Sequence, residues 1–167
     1  MALAARWFQD RFKDDVLYAV KANPSPWVIK ALVKEGICAF DVASIPEIEL
    51  VAEHAPRARM AFMHPVKSRK AISAAYVDYG VRTFSLDSHE ELAKIIDATG
   101  YARDLNLMVR LSAPNHGSAY PLSGKFGIEP WLGAVSRTIR FRSRAWPVAS
   151  RILVSSSWQS SAKVRPP

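Results

Sequence analysis

The chain holds a single cysteine, Cys38, in 167 residues, which excludes an internal disulfide and fits a reducing cytoplasm. The N-terminal MALAARWFQDRFKDD reaches charged residues after a very short apolar start, so it lacks the apolar core of a signal peptide. No apolar run approaches the length of a membrane span, and no membrane association is expected. After residue 130 there is no Asp or Glu at all. That last absence accounts for the net charge of +8: residues 1–130 carry 16 Lys and Arg against 15 Asp and Glu, a net of +1, and residues 131–167 carry the other 7 cations. A basic chain invites a nucleic-acid reading. Here the charge belongs to the tail, where no nucleic-acid motif is found, so a nucleic-acid role is not expected.

Apolar residues make up 49% of the chain and charged residues 23%, the balance of a globular protein. Five short apolar runs read as buried strands: residues 16–20, 39–42, 60–63, 83–86 and 105–109. Helical spacing joins them, carried by Trp27, Ile29, Leu32 and Val33; by Ile48, Leu50 and Val51; by Ile72, Ala75 and Tyr76; and by Leu92, Ile95 and Ile96. Gly36, Gly80 and Gly100 each follow a helical segment and precede a strand, where a left-handed helix stop is expected. Ser88, with Glu90 and Glu91 behind it, has the form of a helix start. Strand and helix in alternation mean parallel pairing through right-handed crossovers.

The predicted strands end on Lys21, Asp41, His64, Asp87 and Arg110, spaced 20, 23, 23 and 23 residues apart. In parallel α/β folds the carboxyl ends of the strands form the face where ligands bind. Any one of these residues could simply mark where polar sequence resumes; five of such mixed type suggest a site. Lys21 stands out. A lysine closing an apolar strand should be partly desolvated, which suits an amine that attacks an aldehyde. A solvated strand-end lysine is the plainer alternative.

The motifs, in order, are YAVKANP at 18–24, FDVASIPEIELV at 40–51, FMHPVKS at 62–68, FSLDSHEELAKI at 84–95, LMVRLS at 107–112 and KFGI at 125–128. Together they resemble the pyridoxal-phosphate decarboxylases of the ornithine and diaminopimelate type, over about Phe12 to Pro130. The resemblance implies a partial (β/α)8 TIM-like barrel of the alanine-racemase kind, with about five βα units in residues 1–130. It implies pyridoxal phosphate as cofactor and Lys21 as the lysine that carries it through a Schiff base. Asp41 and Glu47 would be acids beside that linkage, Arg110 would line the cofactor pocket, and Lys125 would be a loop lysine near the active site. Glu47 also has a plain reading as a first-turn helix acid. His64 does not occupy the position of the family's ring-stacking histidine, which belongs to a later FHVGS-like motif absent here, and it is not assigned that role. His116 reads as a loop residue.

Within the family, the FDVAS and FMHPVKSR segments look most like ornithine-type enzymes. The implied reaction is ornithine to putrescine, a step of polyamine biosynthesis, in a cytoplasmic homodimer. A glycine-rich phosphate cradle, an EPGR-like segment and the later active-site cysteine are not found. Residues 131–167 read as a basic, atypical segment, as after a truncation with a shifted reading frame near residue 130, and the chain is expected to be weak or inactive. The alternatives are a catalytically dead regulatory relative acting by protein–protein binding, a nucleic-acid or acidic-surface binder acting through the tail, and a racemase or pyridoxal-phosphate carrier on the same barrel.

Overall fold

In the computed structural model, residues 2–12 and 16–110 are described. They form a five-stranded sheet of order β1-β2-β3-β4-β5: β1 Tyr18–Ala19, β2 Ala39–Val42, β3 Arg59–Phe62, β4 Thr83–Leu86 and β5 Asn106–Val109. Every neighbouring pair is parallel. The helices are α1 Ala2–Arg11, α2 Pro26–Lys34, α3 Ile45–His54, α4 Arg69–Val77 and α5 His89–Ala98. Parallel strands laid down in consecutive order, each joined by a right-handed crossover, put all the crossover helices on one face of the sheet. A doubly wound sheet would reverse its order and carry helices on both faces. The arrangement is therefore a partial α/β barrel, as expected from the sequence.

The two faces of the sheet differ sharply. Phe40, Val42, Phe62, Phe84 and Leu107 are buried against Val28, Ile29 and Leu32 of α2, Ile48 and Val51 of α3, Ile72 of α4 and Ile95 of α5. The rings of Phe62 and Phe84 lie 6.3 Å apart, tilted by 40°. On the opposite face the register aligns Ala19, Asp41, Ala61, Thr83 and Asn106 in one row across all five strands. These are small or polar residues. Side chains alternate along a strand, so one set builds the hydrophobic core and the other lines the concave side, where chemistry is possible.

Boundaries follow local chemistry. Ser68 and Ser88 cap α4 and α5, accepting hydrogen bonds from the N–H groups of Ala71 and Glu91, each at 3.1 Å. Gly36, Gly80 and Gly100 have φ of 88°, 68° and 64°, the left-handed stops that the sequence signals. At Gly36 a side chain would also crowd Gln9, whose Nε2 lies 3.3 Å from the position of a Cβ.

Two elements differ from the sequence reading. The first strand is only Tyr18–Ala19, and a 3-10 turn, Val20–Ala22, replaces its expected end. Asn23 closes this turn by donating its N–H to the Val20 carbonyl at 3.1 Å, and its Oδ1 accepts from the Ser25 N–H at 3.1 Å. Two prolines, Pro24 and Pro26, then steer the chain into α2. Helix α1 is the second difference. Its apolar residues Leu3, Trp7 and Phe8, with Phe12 just beyond its end, stay exposed and give no core-facing stripe to read. The helix is held instead by buried Ala5 and by an ion pair from Arg6 to Glu35 at 3.1 Å.

Candidate active site

Lys21 lies in the 3-10 turn at the carboxyl end of β1 and is exposed. It does not close a strand, and it is exposed where partial burial was expected. Asp41 is also not at a strand end. It is the third residue of the four in β2, level with Ala19 and Ala61. It therefore lies deeper than the rim, and it is half-buried on the concave side.

Asp41 is the electrostatic centre of the group. Burial pushes its carboxyl above the usual range; Lys21 pulls it down, Glu47 pushes it up, and Arg110 pulls it down. Three residues from separate elements thus act on one carboxylate. Glu47 keeps both of its readings. Its Oε2 accepts the Ala43 N–H at 2.7 Å, which ties the first turn of α3 to the chain leaving β2. The same carboxylate adds negative charge beside Asp41.

Arg110 follows β5, and its N–H continues the ladder by donating to the Leu86 carbonyl at 3.3 Å. Its guanidinium grips Asp87 with two hydrogen bonds, Nε to Oδ1 at 2.7 Å and an Nη to Oδ2. The planar fork fixes its orientation as well as its charge. Counting along the alternation, Met108 and Arg110 face the concave side with Ser85 and Asp87.

His64 is out of phase with this set, three residues beyond Ala61. Its Nδ1 lies 2.7 Å from the Val66 carbonyl and 3.2 Å from the Val66 N–H, so the ring turns back on its own loop. Lys125 and His116 lie outside the described residues, as does the segment 131–167.

Lys67 went unassigned at the sequence level, although it sits in FMHPVKS. Its ammonium is fully buried, donating to the carbonyls of His64 at 2.8 Å and Ser85 at 2.6 Å, and lying 3.0 Å from Glu91 Oε1. The Lys67 N–H donates to the same oxygen at 3.1 Å, while Lys94 lies 2.6 Å from the other. Burial lowers the Lys67 pKa, and Glu91 opposes that shift. The spacing from Ser88 to Glu91 suggests a reciprocal capping box, with Glu91 reaching back to Ser88. Glu91 instead turns to Lys67, because an ammonium without a carboxylate in that interior would be far more costly than a solvated helix end.

The far rim is different in character. Arg82 stacks over Tyr76 at 4.0 Å and donates to Asp104 at 2.6 Å, and Tyr76 donates to Asp104 at 2.8 Å. These residues precede β4 and β5 and tie the amino ends of the strands together, where a barrel places stability rather than chemistry. Among the described residues no group of three or more His, Cys, Asp or Glu could hold a metal ion. No helix there is long and apolar enough to cross a membrane.

An exposed lysine amine whose charge acts on a half-buried carboxylate, as a second cation's does, fits the aldehyde end of pyridoxal phosphate. The amine can add to a carbonyl while the carboxylate offsets positive charge at nitrogen.

Comparison with known proteins agrees. The chain is 36% identical over 113 residues to the lysine/ornithine decarboxylase of Selenomonas ruminantium, covering 67% of this chain and 28% of that protein. It is 37% identical over 112 residues to antizyme inhibitor 2 of Xenopus laevis, covering 66% and 23%. Its fold matches the crystal structure of lysine/ornithine decarboxylase complexed with putrescine from Vibrio vulnificus, with a TM-score of 0.58 and 34% identity, covering 71% and 29%. The chain thus spans less than a third of the length of each. Residues 2–140 match the family described as pyridoxal-dependent decarboxylase, pyridoxal binding domain, and the chain belongs to that family.

Proposed function

We propose that this chain supplies the lysine-bearing half of a pyridoxal-phosphate site for decarboxylation of a basic amino acid, ornithine foremost, yielding putrescine and carbon dioxide. The observation that carries the reading is Asp41 itself, half-buried on the concave side and subject to the opposite charges of Lys21 and Arg110. Pyridoxal phosphate, when bound, supplies the electron sink for the pair left on the α-carbon as carbon dioxide departs. Lys21 would hold the cofactor through its amine, which the substrate amine would displace. Asp41 would balance positive charge at that nitrogen and orient Lys21. Glu47 keeps the negative field high while anchoring α3. Arg110, fixed by Asp87, closes the site on the β5 side.

Ornithine is preferred over lysine because the FDVAS and FMHPVKS segments resemble ornithine-type enzymes. The similarity to lysine/ornithine decarboxylases supports the basic side chain more strongly than its length. The lone thiol, Cys38, suits a cytoplasmic setting.

The test is cofactor capture. Purified chain is mixed with pyridoxal phosphate, reduced with borohydride and mapped by mass spectrometry. Label at Lys21, lost in Lys21→Ala, supports the reading; label scattered over other lysines overturns it. Lys21 is exposed, so this variant should stay within about 0.5 kcal/mol of the parent in stability. Release of carbon dioxide from ornithine, compared with lysine, then decides the substrate. The similarity to antizyme inhibitor 2 favours one other reading, a regulatory relative acting by protein binding. Absence of label at Lys21 as well as at every other lysine would favour it.

A further inference from the structure

The buried ammonium of Lys67 joins three elements that are far apart in sequence. Through the His64 carbonyl it holds the chain leaving β3, through the Ser85 carbonyl it holds β4, and through Glu91 it holds the first turn of α5. Its side chain is 0% exposed and that of Glu91 5%, so water cannot substitute for either partner. The corner it braces, from Ser85 to Ser88, contains Asp87, and Asp87 is the residue that grips Arg110 with two hydrogen bonds. Arg110 in turn acts on Asp41.

We propose that Lys67 is a positioning residue for the site: it fixes the β4–α5 corner and, through Asp87, sets Arg110 on the concave side that also carries Asp41. A surface strut could hold the same elements together, but it could not do so rigidly, because exposed ion pairs exchange with water. A buried ammonium with three fixed acceptors has one low-energy geometry. The inference rests on the reading of that concave side as the cofactor site. It is tested without cofactor, so that the two can fail separately.

The experiment follows the carboxyl carbon of Asp41 by NMR titration of the whole chain. The charged groups acting on that carboxylate are Lys21, Glu47 and Arg110. Lys67→Met should release Arg110 and move the Asp41 midpoint upward. Val81→Ala, a core truncation before the amino end of β4 and away from the corner, should lower stability and leave the midpoint in place. Should Lys67→Met fail to fold, Glu91→Gln, which keeps the ammonium on its two carbonyls and removes the carboxylate on α5, is read in the same way. An unmoved midpoint in the variant that is read, or an equal shift in Val81→Ala, overturns the inference. The borohydride mapping at Lys21 reports independently on whether the cofactor reading stands.

Discussion

Replacing Glu91 with glutamine changes one oxygen to nitrogen and leaves the volume of the site intact. The cost comes from charge. Lys67 keeps the His64 and Ser85 carbonyls but loses the carboxylate 3.0 Å away, with no solvent to take its place. Breaking one side of a buried ion pair typically costs about 3–5 kcal/mol. Lys94 also loses its partner, but its side chain is 23% exposed and rehydrates, so it adds little. The expected loss is therefore about 3 kcal/mol or more at pH 7, read as a lowered midpoint at constant slope in urea unfolding. It should also depend on pH. The folded-state pKa of Lys67 is already lowered, so the folded chain holds fewer protons than the unfolded one between that value and the ordinary lysine value, and this group's contribution to stability rises with pH across that window. Without Glu91, which opposes the shift, the window widens, and the variant should recover part of its loss at alkaline pH. The double variant Lys67→Met/Glu91→Gln removes the stranded charge and should be milder than Glu91→Gln alone. A loss below about 1 kcal/mol in the single variant, or a double variant worse than either single, would refute the assignment of Lys67 and Glu91 as a buried pair.

Asp41→Asn tests the sign of a second shift. Burial raises the Asp41 pKa, so its contribution to stability is complete below the unfolded value and is lost as pH rises through the folded one. The variant should gain on the parent between pH 3 and pH 7 in urea midpoint; a gain that shrinks over that range would contradict the burial argument. Phe84→Ala empties a fully buried position of a central strand and should cost about 3–5 kcal/mol, measured by the same unfolding curve. Ser88→Ala deletes the α5 cap and should cost about 1 kcal/mol, with faster amide exchange in the first turn of α5 as its local signature.

Much of the architecture is legible in the residues. Apolar runs of four or five bounded by turn signals mark four of the strands to within a residue or so, and Gly36, Gly80 and Gly100 mark three helix stops, because these patterns reflect local backbone physics. Helix α1 is illegible because its hydrophobic residues are not the ones that bury. The end of β1 is illegible because Lys21 continues a plausible alternation, while the turn that removes it depends on Asn23 and two prolines beyond. Spacing singles out His64 as readily as Asp87, yet spacing is blind to which face of the sheet a residue takes.

What the sequence determined by itself was the family and the order of strands and helices, and it singled out Lys21 as the candidate for any cofactor chemistry. These follow from ordered motifs and from periodicities that act over a few residues. Only the tertiary structure decided that Asp41 sits a level below the rim, that Arg110 is seated on Asp87, and that Lys67 and Glu91 meet as a buried pair. Each of those depends on strand register and on burial. Both arise when segments more than twenty residues apart are pressed together away from water, where one unpaired charge outweighs any local preference.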